Sequence, residues 1–214
     1  MSVSIKKEDA DKILSPYYEI LKKCIFSGWQ DYMENYSMSG YRYAIRTKAC
    51  IIRDHIVGHI KDNFSNTPGV KPREFRDGLF LLEIEKRWNI RFKKLDCSLR
   101  PSNYPTIQTT MFNDQQLFKR GQQLVFEGMD TPRPVYLNAG YIPDRTWSYI
   151  ESVHIAYPVK KEIVWSIDLT NIVTSETALE SLPTLQKEKG RSNVRIKKHL
   201  IMNQGEIQNA KDGQ

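Results

Sequence analysis

Cysteine is scarce in this 214-residue chain: Cys24, Cys50 and Cys97 are odd in number, widely spaced and form no CxxC pair. Three such thiols exclude a disulfide framework and a zinc knuckle, and they fit reduced side chains in a cytoplasmic setting. No apolar run approaches the ~20 residues that span a bilayer, so neither a membrane segment nor a membrane partner is expected. The N-terminal Met1-Ser2-Val3-Ser4-Ile5-Lys6-Lys7 lacks the apolar stretch of a secretory signal. Walker, GxGxxG, GxSxG, HExxH and EF-hand patterns are missing too. The familiar nucleotide, hydrolase and zincin chemistries therefore lose support, and no cofactor is expected. No internal repeat is visible. What remains is 40% hydrophobic and 27% charged residues with a net charge of +7, a mix able to build a core.

The positive excess is concentrated. Residues 41–61 hold five basic groups against Asp54 alone, and residues 71–100 hold nine basic against five acidic groups. Clustered charge of one sign attracts polyanions or acidic protein surfaces, although a solvated face has the same composition.

Apolar periodicity predicts helices first and strands afterwards. Ile13, Tyr17, Ile20, Leu21, Cys24 and Ile25 recur at helical steps, with Pro16 suggesting a helix start at Ser15. Ile45, Ala49, Ile52, Ile56 and Ile60 form the seam of a second helix over about 41–62. The loop that follows contains Pro68, Gly69 and Pro72. The period then changes to two. Phe80, Leu82 and Ile84, then Trp88, Ile90 and Phe92, predict a hairpin turning at Glu85-Lys86-Arg87. Residues 99–134 read as loop with a short helix near 113–124. Strands resume at Val135–Tyr141, Ser152–Tyr157 and Ile163–Leu169. The expected fold is α+β, N-terminal helices (1–66) on a mostly antiparallel sheet (70–170). A short helix around Ala178 and Leu182 and a flexible basic tail (171–214) complete it.

Three constellations bear on chemistry. His55 and His59 lie four apart, so they face one way on a helix and could share a metal, but no third ligand stands at helical spacing. Arg53-Asp54 followed by His59 resembles the arginine–polar–histidine signature of HEPN ribonucleases. That resemblance implies metal-independent RNA cleavage, with Arg53 stabilising the phosphate and His59 transferring a proton. A nuclease of the PD-(D/E)xK type fails on spacing, because Glu85 and Lys86 are adjacent and face opposite ways in a strand.

A broader series comprises Arg46-Thr47, Ile51-Ile52-Arg53-Asp54-His55, Gly78-Leu79-Phe80-Leu81-Leu82, Arg91-Phe92-Lys93-Lys94-Leu95-Asp96, Pro105-Thr106-Ile107-Gln108, Gly140-Tyr141 and Trp165-Ser166-Ile167. Over residues 40–169 it resembles an uncharacterised bacterial and prophage family encoded beside helix-turn-helix or ImmA/IrrE-type genes. The resemblance implies the effector half of a toxin–antitoxin or phage-defence pair, acting on RNA or DNA or on an acidic cognate protein. A non-catalytic module such as an antitoxin, phage inhibitor or assembly subunit is the alternative. The candidate contact residues are Arg46, Arg53, Arg91, Lys93 and Lys94, in which arginine supplies a bidentate fork and lysine a point charge. If instead Arg91 or Lys93 pairs with Glu83 across the hairpin, the contact contributes under ~1 kcal/mol.

Overall fold

The structure, a computed structural model, describes residues 5–75, 78–101, 106–116 and 134–172. Three helices come first: α1 (Lys7–Leu14), α2 (Tyr18–Tyr36) and α3 (Ile45–Phe64). α1 corrects the expected start at Ser15. Pro16 falls in a 3-10 turn, Ser15–Tyr17, between α1 and α2, where its missing N–H costs no helical hydrogen bond. In α3 the isoleucine seam holds at Ile52, Ile56 and Ile60, all buried, but Ile45 at its first position is 61% exposed.

Helices α2 and α3 approach closely at Gly28, where a Cβ would sit 2.6 Å from the backbone nitrogen of Ile56. Only a residue without a side chain fits between the two backbones.

Six strands form one sheet in sequential order: β1 (Val70–Glu74), β2 (Phe80–Ile84), β3 (Trp88–Lys94), β4 (Val135–Pro143), β5 (Ile150–Val159) and β6 (Glu162–Asp168). The fold is therefore α+β, as the change of period implies. The β2–β3 hairpin turns through Glu85 and Lys86, both at positive φ, the twist that suits a tight two-strand connection. β1 was hidden by Pro72, which reads as loop. At the sheet edge a proline is tolerated because its absent N–H has no ladder partner to lose. β3 and β4 pair in parallel, from Trp88↔Val135 to Lys94↔Tyr141, whereas every other pairing is antiparallel. A parallel pair needs a long crossover, and part of it forms α4 (Ile107–Asn113). That helix lies earlier than the one expected over 113–124, and residues 117–124 of that expectation fall outside the described residues. So do the expected helix near Ala178 and all of the tail from residue 173.

Alternation sorts the sheet into two faces. Trp88, Ile90, Phe92, Leu137, Ala139, Tyr141, Val153, Ile155 and Tyr157 pack with α2 and α3 in the main core. On the far face, Phe112 of α4 joins Leu79, Leu81 and Tyr136. Gln115 donates to the carbonyls of Tyr136 and Pro158 and accepts from the Tyr136 N–H, tying α4 to β4 and β5. No helix of the described residues is long and apolar enough to cross a membrane.

Candidate functional site

On α3, Arg46, Cys50 and Arg53 follow one another at steps of four and three, so they form a ridge along one side of the helix. That ridge stands beside β3. The β2–β3 ladder runs only from Leu82↔Ile90 to Ile84↔Trp88, so β3 has no β2 partner from Arg91 to Lys94. Arg53 reaches into this region: its Nη2 donates to the Gly78 carbonyl at 2.9 Å, while Nη1 pairs with Asp54 at 3.0 Å.

Lys93 is the electrostatic centre of the group. Burial lowers its pKa to about 8, with Arg91, Arg53 and Arg46 pressing in the same direction and Cys50 opposing them. Desolvation and like charges both disfavour the ammonium form. Among the described residues no carboxylate stands at ion-pair distance from Lys93. Glu83, the expected hairpin partner for Arg91 or Lys93, pairs instead with Arg73 of β1 at 2.8 Å. Arg91 lies on the far face, its guanidinium 5.5 Å from the Phe112 ring centre.

Lys94 points to the helix side, with its ammonium 6.0 Å from the ring centre of Trp147. The Lys48 ammonium stands 5.4 Å from the same centre. Trp147 is stacked against Trp29 at 6.1 Å and 18°. It sits, partly buried against the main core, on a loop that Asp144 staples: Oδ2 accepts from the Thr146 N–H and hydroxyl, and Oδ1 accepts from Ser148 N and Tyr149 N. Burial pushes the Asp144 carboxyl up, but these donors outweigh it and hold its pKa down to about 2.

Arg53 and His59 have separate engagements. His59 Nε2 lies 2.7 Å from Asp31 Oδ2 on α2, and His55 Nδ1 lies 3.3 Å from the same oxygen. Six residues along a helix amount to a rotation of about 240°, which turns His59 toward α2 and Arg53 toward β2. Both histidines thus contact one carboxylate oxygen of Asp31, far away in sequence. Asp31, Asp54, Asp62, Tyr36 and both histidines line a cleft of about 430 Å³. Among the described residues no group of three or more histidine, cysteine or acidic side chains is arranged to hold a metal ion.

The structure therefore places Arg46, Arg53 and Arg91 each within electrostatic range of Lys93 and seats Lys94 on a neighbouring aromatic. Cys50, Trp147 and Lys48 join the site without having been singled out. Cys50 could have been found from the i, i+4 spacing to Arg46. Trp147 could not, because only the parallel β3–β4 register brings its loop to Lys94. Comparison with family models, with curated proteins and with solved structures gives no match.

Proposed function

We propose that this protein binds nucleic acid through the ridge of Arg46 and Arg53 together with Lys93 and the neighbouring Lys48, Lys94 and Arg91. In keeping with the prophage-family resemblance of residues 40–169, it serves as the effector half of a toxin–antitoxin-like or phage-defence pair. The observation that carries this is Lys93, a half-buried ammonium placed among guanidinium groups with no described carboxylate beside it. Assembling like charges is unfavourable for the folded chain, and such arrangements concentrate where an anionic ligand is to be bound. A phosphate backbone supplies the compensating charge at the spacing of such contacts.

The test is binding of labelled RNA and DNA by fluorescence anisotropy over a range of salt. Affinity should fall steeply as salt rises, and Lys93→Met should weaken binding while Lys71→Met, at the start of the edge strand β1, leaves it unchanged. Absence of binding at low salt overturns the proposal. Expression of the chain alone should arrest growth, and a cognate partner should relieve the arrest. Catalysis by Arg53 and His59 is tested separately, by EDTA-resistant RNA cleavage that His59→Ala abolishes.

A further inference from the structure

Beside the basic ridge the cations are interleaved with aromatic rings. Trp147 is backed by Trp29 and carries the Lys48 and Lys94 ammonium groups over its ring. Two residues on, Tyr149 is 59% exposed. Just before α3, Tyr41 is 76% exposed, and the Arg42 guanidinium lies 5.3 Å from its ring centre. Tyr149 and Tyr41 are thus exposed rings, whereas Trp147 is partly buried and packed against the main core. The Trp147–Tyr149 pair is also rigidly presented, because Asp144 fixes the loop by four hydrogen bonds from residues 146–149.

We infer that the nucleic acid this site takes is single-stranded, with Trp147 and Tyr149 as a stacking platform for its bases and Lys48 and Lys94 as contacts to the flanking phosphates. This rests on the nucleic-acid reading of the basic ridge and narrows its substrate class. The chemistry follows from what each strand form offers. A duplex encloses the faces of its bases and shows a protein only edges and phosphates. An unpaired base has a free π-face, and any base can stack on an indole or phenol, so the contact tolerates sequence. The two ammonium groups now over Trp147 are held there by the weak cation–π attraction of a solvated site. A stacking base displaces them toward its own phosphates, where they make stronger charge-assisted contacts. An anionic lipid surface would also attract the cations. It is disfavoured because the exposed side of α3 interrupts its few apolar groups with Arg46, Lys48, Arg53 and Asp54, whereas an interfacial helix presents a continuous apolar face.

The decisive comparison uses three probes on the full chain: a single-stranded oligonucleotide, its duplex, and a single strand of equal length with abasic sugars. The base-bearing strand should bind roughly 10-fold or more tightly than either of the others. Trp147→Ala should lose roughly 5- to 150-fold in affinity for it, the range of one stacked base, and should no longer distinguish it from the abasic strand. Trp147→Phe should restore that distinction, and Tyr149→Ser, at an exposed position, should reduce it without altering the fold. Equal affinity for base-bearing and abasic strands, or a preference for duplex, overturns the stacking inference and leaves nucleic-acid binding standing. Failure to bind any strand at low salt overturns both, as does binding to anionic vesicles without binding to strands.

Discussion

Lys93 is kept where it is by covalent connection to β3, in spite of its surroundings. Burial and three guanidinium groups lower its pKa to about 8 from the usual 10.5. Between those two values the unfolded chain binds more protons at this residue than the folded chain, so the contribution of Lys93 to stability rises with pH across that window. Below about pH 8 the folded state carries the full penalty of the buried ammonium. Lys93→Met should accordingly raise the melting midpoint at pH 7 by about 2–4 °C, the shift of ~1 kcal/mol in a chain of this size, while weakening oligonucleotide binding. A variant that gains stability and loses affinity together separates a binding group from a structural one. Binding should also weaken as pH rises through about 8, and oligonucleotide binding in that range should be accompanied by proton uptake, measurable from the buffer dependence of the calorimetric heat. A second residue carries the opposite message. Asn138 is fully buried on the far face of the sheet, and neither its amide nitrogen nor its oxygen has a hydrogen-bond partner among the described residues. Each such group costs ~1–3 kcal/mol, so Asn138→Leu, of similar size, should raise the midpoint in a thermal scan.

At the scale of elements, α2 and α3 meet where Gly28 faces Ile56, and β3 and β4 meet where Gly140 faces the Lys93 carbonyl. Both are close backbone approaches, and the second sets the register that brings Tyr141 opposite Lys94. Gly28→Ala should destabilise the fold by ~1–3 kcal/mol through overpacking, read as a lower urea midpoint, because the helix α3 bearing the ridge must move away. The loop at 144–149 is an element of a different kind, rigid through one carboxylate. Asp144→Ala removes that staple, so it should lower affinity for a base-bearing strand toward that of Trp147→Ala although Asp144 itself makes no ligand contact. The stabilisation from Asp144 is present in full, and independent of pH, above its unfolded pKa of 3.8, and it is lost as pH falls toward about 2.

Over the whole molecule, which carries a net charge of +7, Arg46, Lys48, Arg53, Arg91, Lys93 and Lys94 stand around the meeting of α3, the end of β3 and the β4–β5 loop. For single strands each phosphate neutralised contributes about −0.7 to the slope of log K against log salt. Five to six cations in this patch therefore predict a slope of about −3.5 to −4.2, which Lys93→Met should make shallower by ~0.7. The sequence disclosed the elements that carry most of this charge. The 3.6-residue seam located α3, and strict alternation at Trp88, Ile90 and Phe92 located β3. Glu85-Lys86 marked its turn, and the change of period identified the α+β class. β1 was illegible because Pro72 looks the same in an edge strand and in a loop. The α1 helix was obscured by Pro16, whose ring is as compatible with a helical turn as with a break.

Local pattern thus determined α2, α3 and the strands from β2 onward, which of their faces are apolar and where positive charge accumulates along the chain, since these depend on neighbours a few positions apart. The tertiary structure alone decided which charges meet. Alternation sends Arg91 and Lys93 to one face of the sheet and Lys94 to the other. Only the early end of the β2–β3 ladder and the parallel crossover to β4 bring Lys93 within range of α3 and Trp147 within range of Lys94. Those proximities depend on register and packing between segments some fifty residues apart, and no spacing along the chain encodes them.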